Sequence, residues 1–242
     1  MTGPAPRQLP LPLAVAAEPR GPLLADSSNA AARAWLDDPA RWPLGRLCLW
    51  GPEGVGKSHL LADMAEARGW RLLRGPGLPA LPEPGPAVVD DADCAPEEPL
   101  FHLINANAAR GAPLLLAGRA APSRWPVALP DLASRLAATA AVAIEEPSEA
   151  LLAALLARET AERQIRLPEA TRAWLLRHLP REARAVRAAA RRLDRLSLAL
   201  GRPPTRALAR AALSDLPGFE GMRRDASVAA DRDASQAGPR LV

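Results

Sequence analysis

An α/β fold is what this sequence predicts: a parallel sheet covered by helices on both faces, followed by a small unit built of helices only. Three observations carry that expectation. Between residues 46 and 146 short apolar runs alternate with helical stretches, and from Ser148 onward the strands stop. The interior palette is Leu, Ala and Val, because aromatics make up 3% of the chain, with six Trp, two Phe and no Tyr. Short buried strands separated by helices need crossover connections, and crossovers make strands parallel. At 242 residues and 48% hydrophobic content the chain can bury one large core, or a core with a small appendage.

Taken in order, residues 1–22 are Pro-rich without helical periodicity and read as a flexible arm. The sheet domain is expected over 23–147. Ser27, Ser28 and Asn29 offer N-cap chemistry to a short helix, AAARAWL. RLCLW at 46–50 reads as a buried strand, GPEGVGKS as a loop and HLLADMAEA as the helix after it. WRLL at 70–73 is the second strand. The stretch 75–86, GPGLPALPEPGP, is too rich in Pro and Gly for anything but loop. AVVDD at 87–91 is a third strand, Phe101 to Ala109 a helix, PLLLAG at 113–118 a fourth strand, LPDLASRL a helix and AVAIEE at 141–146 a fifth strand. Helices are expected over 148–164 with Ser148 as cap, from Pro168, over 181–200 and over 204–213, which places a helical domain at 148–216. Residues 217–242 are polar and read as a disordered tail.

Composition narrows the class. Cys48 and Cys94 have neither disulfide-framework nor metal-ligand spacing, which fits a reducing cytoplasm. Pro10 and Pro12 interrupt the N-terminal apolar stretch, so it is not read as a signal peptide, and no run approaches the roughly 18 apolar residues of a membrane span. The formal net charge is only +4, but residues 151–213 hold fourteen arginines against five acids, so the positive charge belongs to the helical segment.

Gly51, Gly56, Lys57 and Ser58 satisfy G-x-x-x-x-G-K-[ST] between a strand and a helix, which is the context a phosphate-binding loop requires. Glycines let main-chain N–H groups turn inward around phosphates, and the helix N-terminus adds positive potential. Lys57 reaches the β- and γ-phosphates and Ser58 ligates Mg²⁺. Gly54 and His59 complete the cofactor-binding stretch; His59, His102 and His178 form no catalytic order with Cys or Ser and are otherwise ordinary structural residues. Lys57 is the only lysine among 31 cationic residues, the other thirty being arginine. A compact ammonium fits between phosphate oxygens where a planar guanidinium crowds the loop. Asp90 and Asp91 end the strand AVV, where a Walker B element sits on the strand beside the phosphate loop. Asp90 would hold Mg²⁺ through water and Asp91 would activate the attacking water. The alternative is two acids capping a strand into an acidic loop with Asp93, Glu97 and Glu98.

Four stretches carry a family likeness: QLPLPL at 8–13, GPEGVGKS, LPDLASRL at 129–136 and LPREARAVRAAARRLDRL at 179–196. Together they resemble the Hda family of DnaA-related AAA+ regulators, from Gln8 to about Leu216. The resemblance implies an AAA+ αβα domain with a helical lid, bound ATP or ADP with Mg²⁺, and a bacterial, cytoplasmic, replisome-associated setting. It implies that Gln8, Leu9, Leu11 and Leu13 bind the β sliding clamp of DNA polymerase, with Pro10 and Pro12 holding the peptide extended and so lowering the entropy lost on docking. Arg135 matches the arginine finger, acting in trans on DnaA; the alternative is a surface ion pair with Asp131 one turn earlier. Arg184 matches the second sensor, which touches nucleotide phosphates; the alternative is a solvated basic face shared with Arg181 and Arg187. Where relatives carry a polar first sensor this chain has Ala117, Gly118 and Arg119, which implies weak or absent hydrolysis of its own.

The function so implied is negative regulation of replication initiation: tethered to the clamp, and to DNA only through it, the protein promotes hydrolysis of DnaA-bound ATP. The competing function is an autonomous ATPase of the helicase-loader type acting on single-stranded DNA, and a third is an adaptor whose nucleotide is structural. A homo-oligomer stays open, although the 74–86 loop lacks the helix larger relatives place there.

Overall fold

The computed structural model describes residues 23–201, 204–217 and 219. The arm with Gln8, Leu9, Leu11 and Leu13 lies outside the described residues, as does nearly all of the C-terminal tail. The chain divides into two compact units, with the boundary between Ser148 and Glu149.

The first unit contains five parallel strands: β1 (Arg46–Trp50), β2 (Arg71–Arg74), β3 (Ala87–Asp90), β4 (Leu114–Gly118) and β5 (Ala140–Ala143). Its helices are α1 (Ser27–Asp37), α2 (Lys57–Arg68), α3 (Glu97–Ala109) and α4 (Pro130–Ala137). The sheet order is β2-β3-β4-β1-β5, so β1 lies between β4 and β5. Leu47 pairs with Leu115 on one side and Ala140 on the other. This corrects one expectation: β3, which ends in Asp90, is not beside the phosphate-loop strand, because β4 pairs with both.

Period-two alternation sorts the strands onto two cores. Leu47, Leu49, Val88, Leu115 and Ala117 pack with Leu36 of α1 and Leu60, Leu61 and Met64 of α2. Cys48, Ala87, Val89, Leu114 and Leu116 pack with Leu100, Leu103 and Ile104 of α3 and Leu132 and Leu136 of α4. Each fully buried leucine contributes about 1.5–3 kcal/mol relative to exposure, so the Leu-rich palette suffices where aromatics are scarce.

Boundaries depart from the expected ones for identifiable reasons. The cap of α1 is Asp26, not the three residues after it: its carboxylate accepts from the Ser28 N–H, and Asn29 reciprocates by accepting from the Asp26 N–H. Trp70 is outside β2, because its N–H closes the end of α2 on the Ala65 carbonyl and its ring sits edge-on to Trp42. Glu145 and Glu146 lie outside β5, although the Ile144 N–H still donates to the Trp50 carbonyl.

The second unit comprises α5 (Glu149–Glu162), α6 (Glu169–His178), α7 (Ala183–Leu200) and α8 (Arg206–Leu213). Leu155, Leu156, Trp174, Leu175, Val186, Leu193 and Leu213 are buried in it. Glu159 is buried and charge-paired with Arg163 at 2.8 Å and Arg187 at 3.3 Å, which offsets the cost of desolvating a carboxylate. Phe219, expected in the tail, lies edge-on against Trp174 with ring centroids 5.6 Å apart. Among the described residues no helix is long and apolar enough to cross a membrane.

Candidate functional site

The loop Gly51–Gly56 leaves the carboxyl end of β1 and runs into α2. Gly51, Gly54 and Gly56 all have positive φ, at 154°, 85° and 108°. Gly51 is also sterically obligatory, since a Cβ there would overlap the Ile144 carbonyl oxygen. Gly56 precedes α2 with no side-chain cap, so the first N–H groups of the helix stay available to an anion.

Lys57 begins α2 and is 8% exposed. Its Nζ donates to the carbonyls of Gly51 and Pro52, both at 2.7 Å. An ammonium has three protons, so one donor is left over. Among the described residues no carboxylate comes within ion-pair distance of it. Burial pushes the Lys57 pKa down, while Asp93, then Asp90 and Asp91, pull it back up and Arg119 opposes them. Ser58, the next residue, is exposed. His59 is buried, 3.4 Å from Asp63 on its own helix, an intrahelical contact consistent with a structural role.

The acids arrive on the far side of β4. Asp90 ends β3 at 3% exposure and Asp91 follows with φ of 52°. Arg74, the last residue of β2, lies in register with Asp90 and reaches both carboxylates, at 3.5 Å and 3.7 Å. Gly75 permits this close approach, because a Cβ there would overlap the Asp91 carbonyl. Asp93 turns toward β4, where its Oδ2 accepts from the Arg119 N–H at 2.8 Å. The Arg119 guanidinium lies 4.0 Å from Glu53 of the loop. Gly118 has no room for a side chain, since a Cβ would press into the Trp125 ring.

Mg²⁺ fits this chemistry only in part through protein groups. Among the described residues no three His, Cys, Asp or Glu side chains converge on one point. Mg²⁺ ordinarily takes one or two carboxylates plus phosphate oxygens and water, which is what Ser58 and Asp90 beside a bound phosphate chain would provide.

Arg135 lies at the opposite end of the sheet. Its main-chain carbonyl accepts from Arg46, the first residue of β1, at 3.2 Å, and from the Thr139 hydroxyl at 2.8 Å. The five residues of β1 separate that end from the loop by about 16 Å at 3.3 Å per residue. The guanidinium stacks over Phe101 at 4.7 Å and donates to the Asn105 side chain and to the Asp131 main-chain carbonyl. The alternative pairing with the Asp131 carboxylate is therefore not the observed one. Burial and the nearby Arg135 charge also hold Arg46 below the usual arginine range. Glu97 accepts from the Ala128 and Leu129 N–H groups at 2.8 Å each, which fixes the chain entering α4.

Arg184 belongs to the helical unit, exposed in the first turn of α7 and 2.5 Å from Glu182. Arg181 precedes α7 and pairs with Glu149, and Arg187 pairs with buried Glu159, so the three do not form one solvated face.

Within the first unit the structure thus gathers Gly51–Ser58, Asp90 and Asp91 at one end and leaves Arg135 at the other. Arg74, Asp93 and Asn105 escaped notice as site residues because nothing in their local sequence marks them; only strand order does.

No protein-family model matches the chain, and neither does any curated protein. Solved structures do match. Domain III of the replication initiation protein DnaA from Thermotoga maritima is similar with a TM-score of 0.65 at 17% identity, covering 80% of this chain and 94% of that one. AMPPCP-bound DnaA from Aquifex aeolicus gives 0.55 at 17% identity over 87% of this chain and 68% of that one. The Thermotoga maritima RuvB Holliday junction branch migration motor gives 0.55 at 18% over 81% and 70%. The fold is accordingly that of the AAA+ domains of DnaA and RuvB, a five-stranded parallel sheet with flanking helices.

Proposed function

We propose that this protein binds ATP or ADP with Mg²⁺ at Gly51–Ser58 and acts on the nucleotide of a neighbouring protein in preference to its own. The observation that supports the reading best is the Lys57 ammonium: buried, one donor to spare, and without a carboxylate in contact among the described residues. Burying a cation this way is costly unless an anion completes it. Main-chain N–H groups from Gly51 to Ser58 wrap the phosphates, Lys57 neutralises them, and Ser58 and Asp90 hold the metal. Mg²⁺, when bound, supplies further neutralisation of phosphate charge. An AMPPCP-bound relative of the same fold is consistent with an adenine nucleotide here.

Arg135 sits about 16 Å of strand away from its own loop and is not paired with a carboxylate among the described residues. A cation so placed serves another subunit's nucleotide, where such a group is worth about 10³–10⁵ in rate. With Gln8, Leu9, Leu11 and Leu13 as a sliding-clamp tether, the full reading is a regulator that stimulates hydrolysis of DnaA-bound ATP and so prevents re-initiation. The family likeness gives Arg184 a second-sensor role, tested by the ADP affinity of Arg184→Ala.

Calorimetry of the purified protein with ADP and Mg²⁺ is the first test, and absence of binding removes the reading. Clamp pull-down with Gln8→Ala and Leu13→Ala together, and stimulation of DnaA ATPase, test the rest. Among the described residues at least seven arginines of the helical unit are engaged in ion pairs, which weakens the case for a nucleic-acid surface there. Steady turnover stimulated by single-stranded DNA would instead favour the helicase-loader function.

A further inference from the structure

Three carboxylates surround Lys57, and they are not equivalent. Asp90 and Asp91 are turned toward β2, where Arg74 lies 3.5 Å and 3.7 Å from them. Asp91 is further committed by its left-handed backbone, with φ of 52°, and by Gly75 packed against its carbonyl. Asp93 faces the other way. Its Oδ2 is fixed by the Arg119 N–H at the end of β4, the strand that pairs directly with β1. Its Oδ1 is buried and has no hydrogen-bond partner among the described residues. A buried carboxylate oxygen without a donor is costly, and the donor it lacks is one the ligand-loaded site can bring. Of all the acids near Lys57, Asp93 also exerts the largest pull on the ammonium.

From this geometry we infer that Asp93, not Asp91, is the positioning carboxylate of the phosphate site, and that its free oxygen accepts a hydrogen bond from water bound at the terminal phosphate of a triphosphate. The inference rests on the proposed nucleotide site and adds to it a means of telling ATP from ADP. A phosphate loop wraps the α- and β-phosphates and leaves the γ-phosphate beside its lysine, and Asp93 is the acid whose charge acts most strongly on that lysine. A diphosphate ends short of that position. Asp91 keeps a structural part, tying β3 to β2 through Arg74.

Titration calorimetry with ADP and with the non-hydrolysable AMPPCP, each with Mg²⁺, separates the possibilities. Asp93→Ala is expected to weaken AMPPCP about tenfold or more while ADP changes less than about threefold. Asp93→Asn keeps an acceptor for the Arg119 N–H, so it holds the β3–α3 connection in place, and is expected to give a smaller but still AMPPCP-selective loss. Asp91→Asn is expected to weaken both nucleotides equally and by less than about threefold. Equal losses for the two nucleotides in both Asp93 variants, or an AMPPCP-selective loss in Asp91→Asn, overturns the inference while leaving nucleotide binding intact. Wild-type protein that binds neither nucleotide overturns the site reading and the inference with it. Thermal melts of each variant show whether a loss reflects unfolding, in which case Asp93→Asn decides.

Discussion

At the carboxyl ends of the strands one ammonium, Lys57, is buried among main-chain carbonyls, ringed at a distance by Asp90, Asp91 and Asp93. At the amino ends two guanidinium groups, Arg46 and Arg135, lie close together and are held by a hydroxyl, an amide, main-chain carbonyls and an aromatic face. Each end holds a buried cation, but the first is set among three carboxylates and the second has no carboxylate partner among the described residues and adds the half-exposed Arg135. Under the proposed function the contrast assigns each end its anion: Lys57 a ligand threaded into the loop, Arg135 a charge presented by another molecule. The supports differ as well. Backbone geometry that only glycine tolerates shapes the carboxyl end, and side-chain contacts from α3 orient the amino end.

The largest effect should come from Arg135→Ala. Stimulation of DnaA hydrolysis is expected to fall about 10³-fold with the protein's own ADP affinity unchanged; a matching loss of affinity would erase the division between the two ends. Next is Gly51→Ala, whose methyl would overlap the Ile144 carbonyl. Its urea unfolding free energy should drop by about 3 kcal/mol or more, and a drop under 1 kcal/mol would mean the loop is not built on that contact. Lys57→Ala should weaken ADP about 100-fold, equivalent to about 2.7 kcal/mol, without lowering the melting temperature of the ligand-free protein, since a desolvated charge is removed.

The smallest expected effect lies away from both ends and serves as their control. Hydroxyls of Ser148 and Ser28 hold the Asp26 carboxyl down to about 2, from 3.8. Because the folded value is the lower one, the stability it contributes is present above about pH 4 and lost as pH falls toward 2. Asp26→Ala should cost about 1 kcal/mol at pH 7 and flatten that acid limb in a denaturation series, with nucleotide affinity unaltered.

How much was legible beforehand varies by residue. The turn from Gly51 to Ser58 between β1 and α2 was readable because it is contiguous, and contiguous geometry is dictated by neighbours in the chain. Helices of the second unit were placed within two or three residues for the same reason, since apolar periodicity marks them. The start of β2 was misplaced because the Trp70 N–H is taken by the end of α2. Arg74 and Asp93 stayed hidden because their partners, Asp90 and Arg119, come from other strands and become neighbours only through pairing.

By itself, then, the sequence determined the α/β class, the order of elements and the position of the glycine-rich loop between β1 and α2, all properties of local spacing and composition. Tertiary structure alone decided that β4 intervenes between β1 and β3, that Arg135 stands at the far end from Lys57, and that Asp93 is held by the Arg119 N–H while Asp90 and Asp91 face Arg74. Those facts depend on which distant strands meet, and pairing is settled by how whole faces pack rather than by any one stretch of residues.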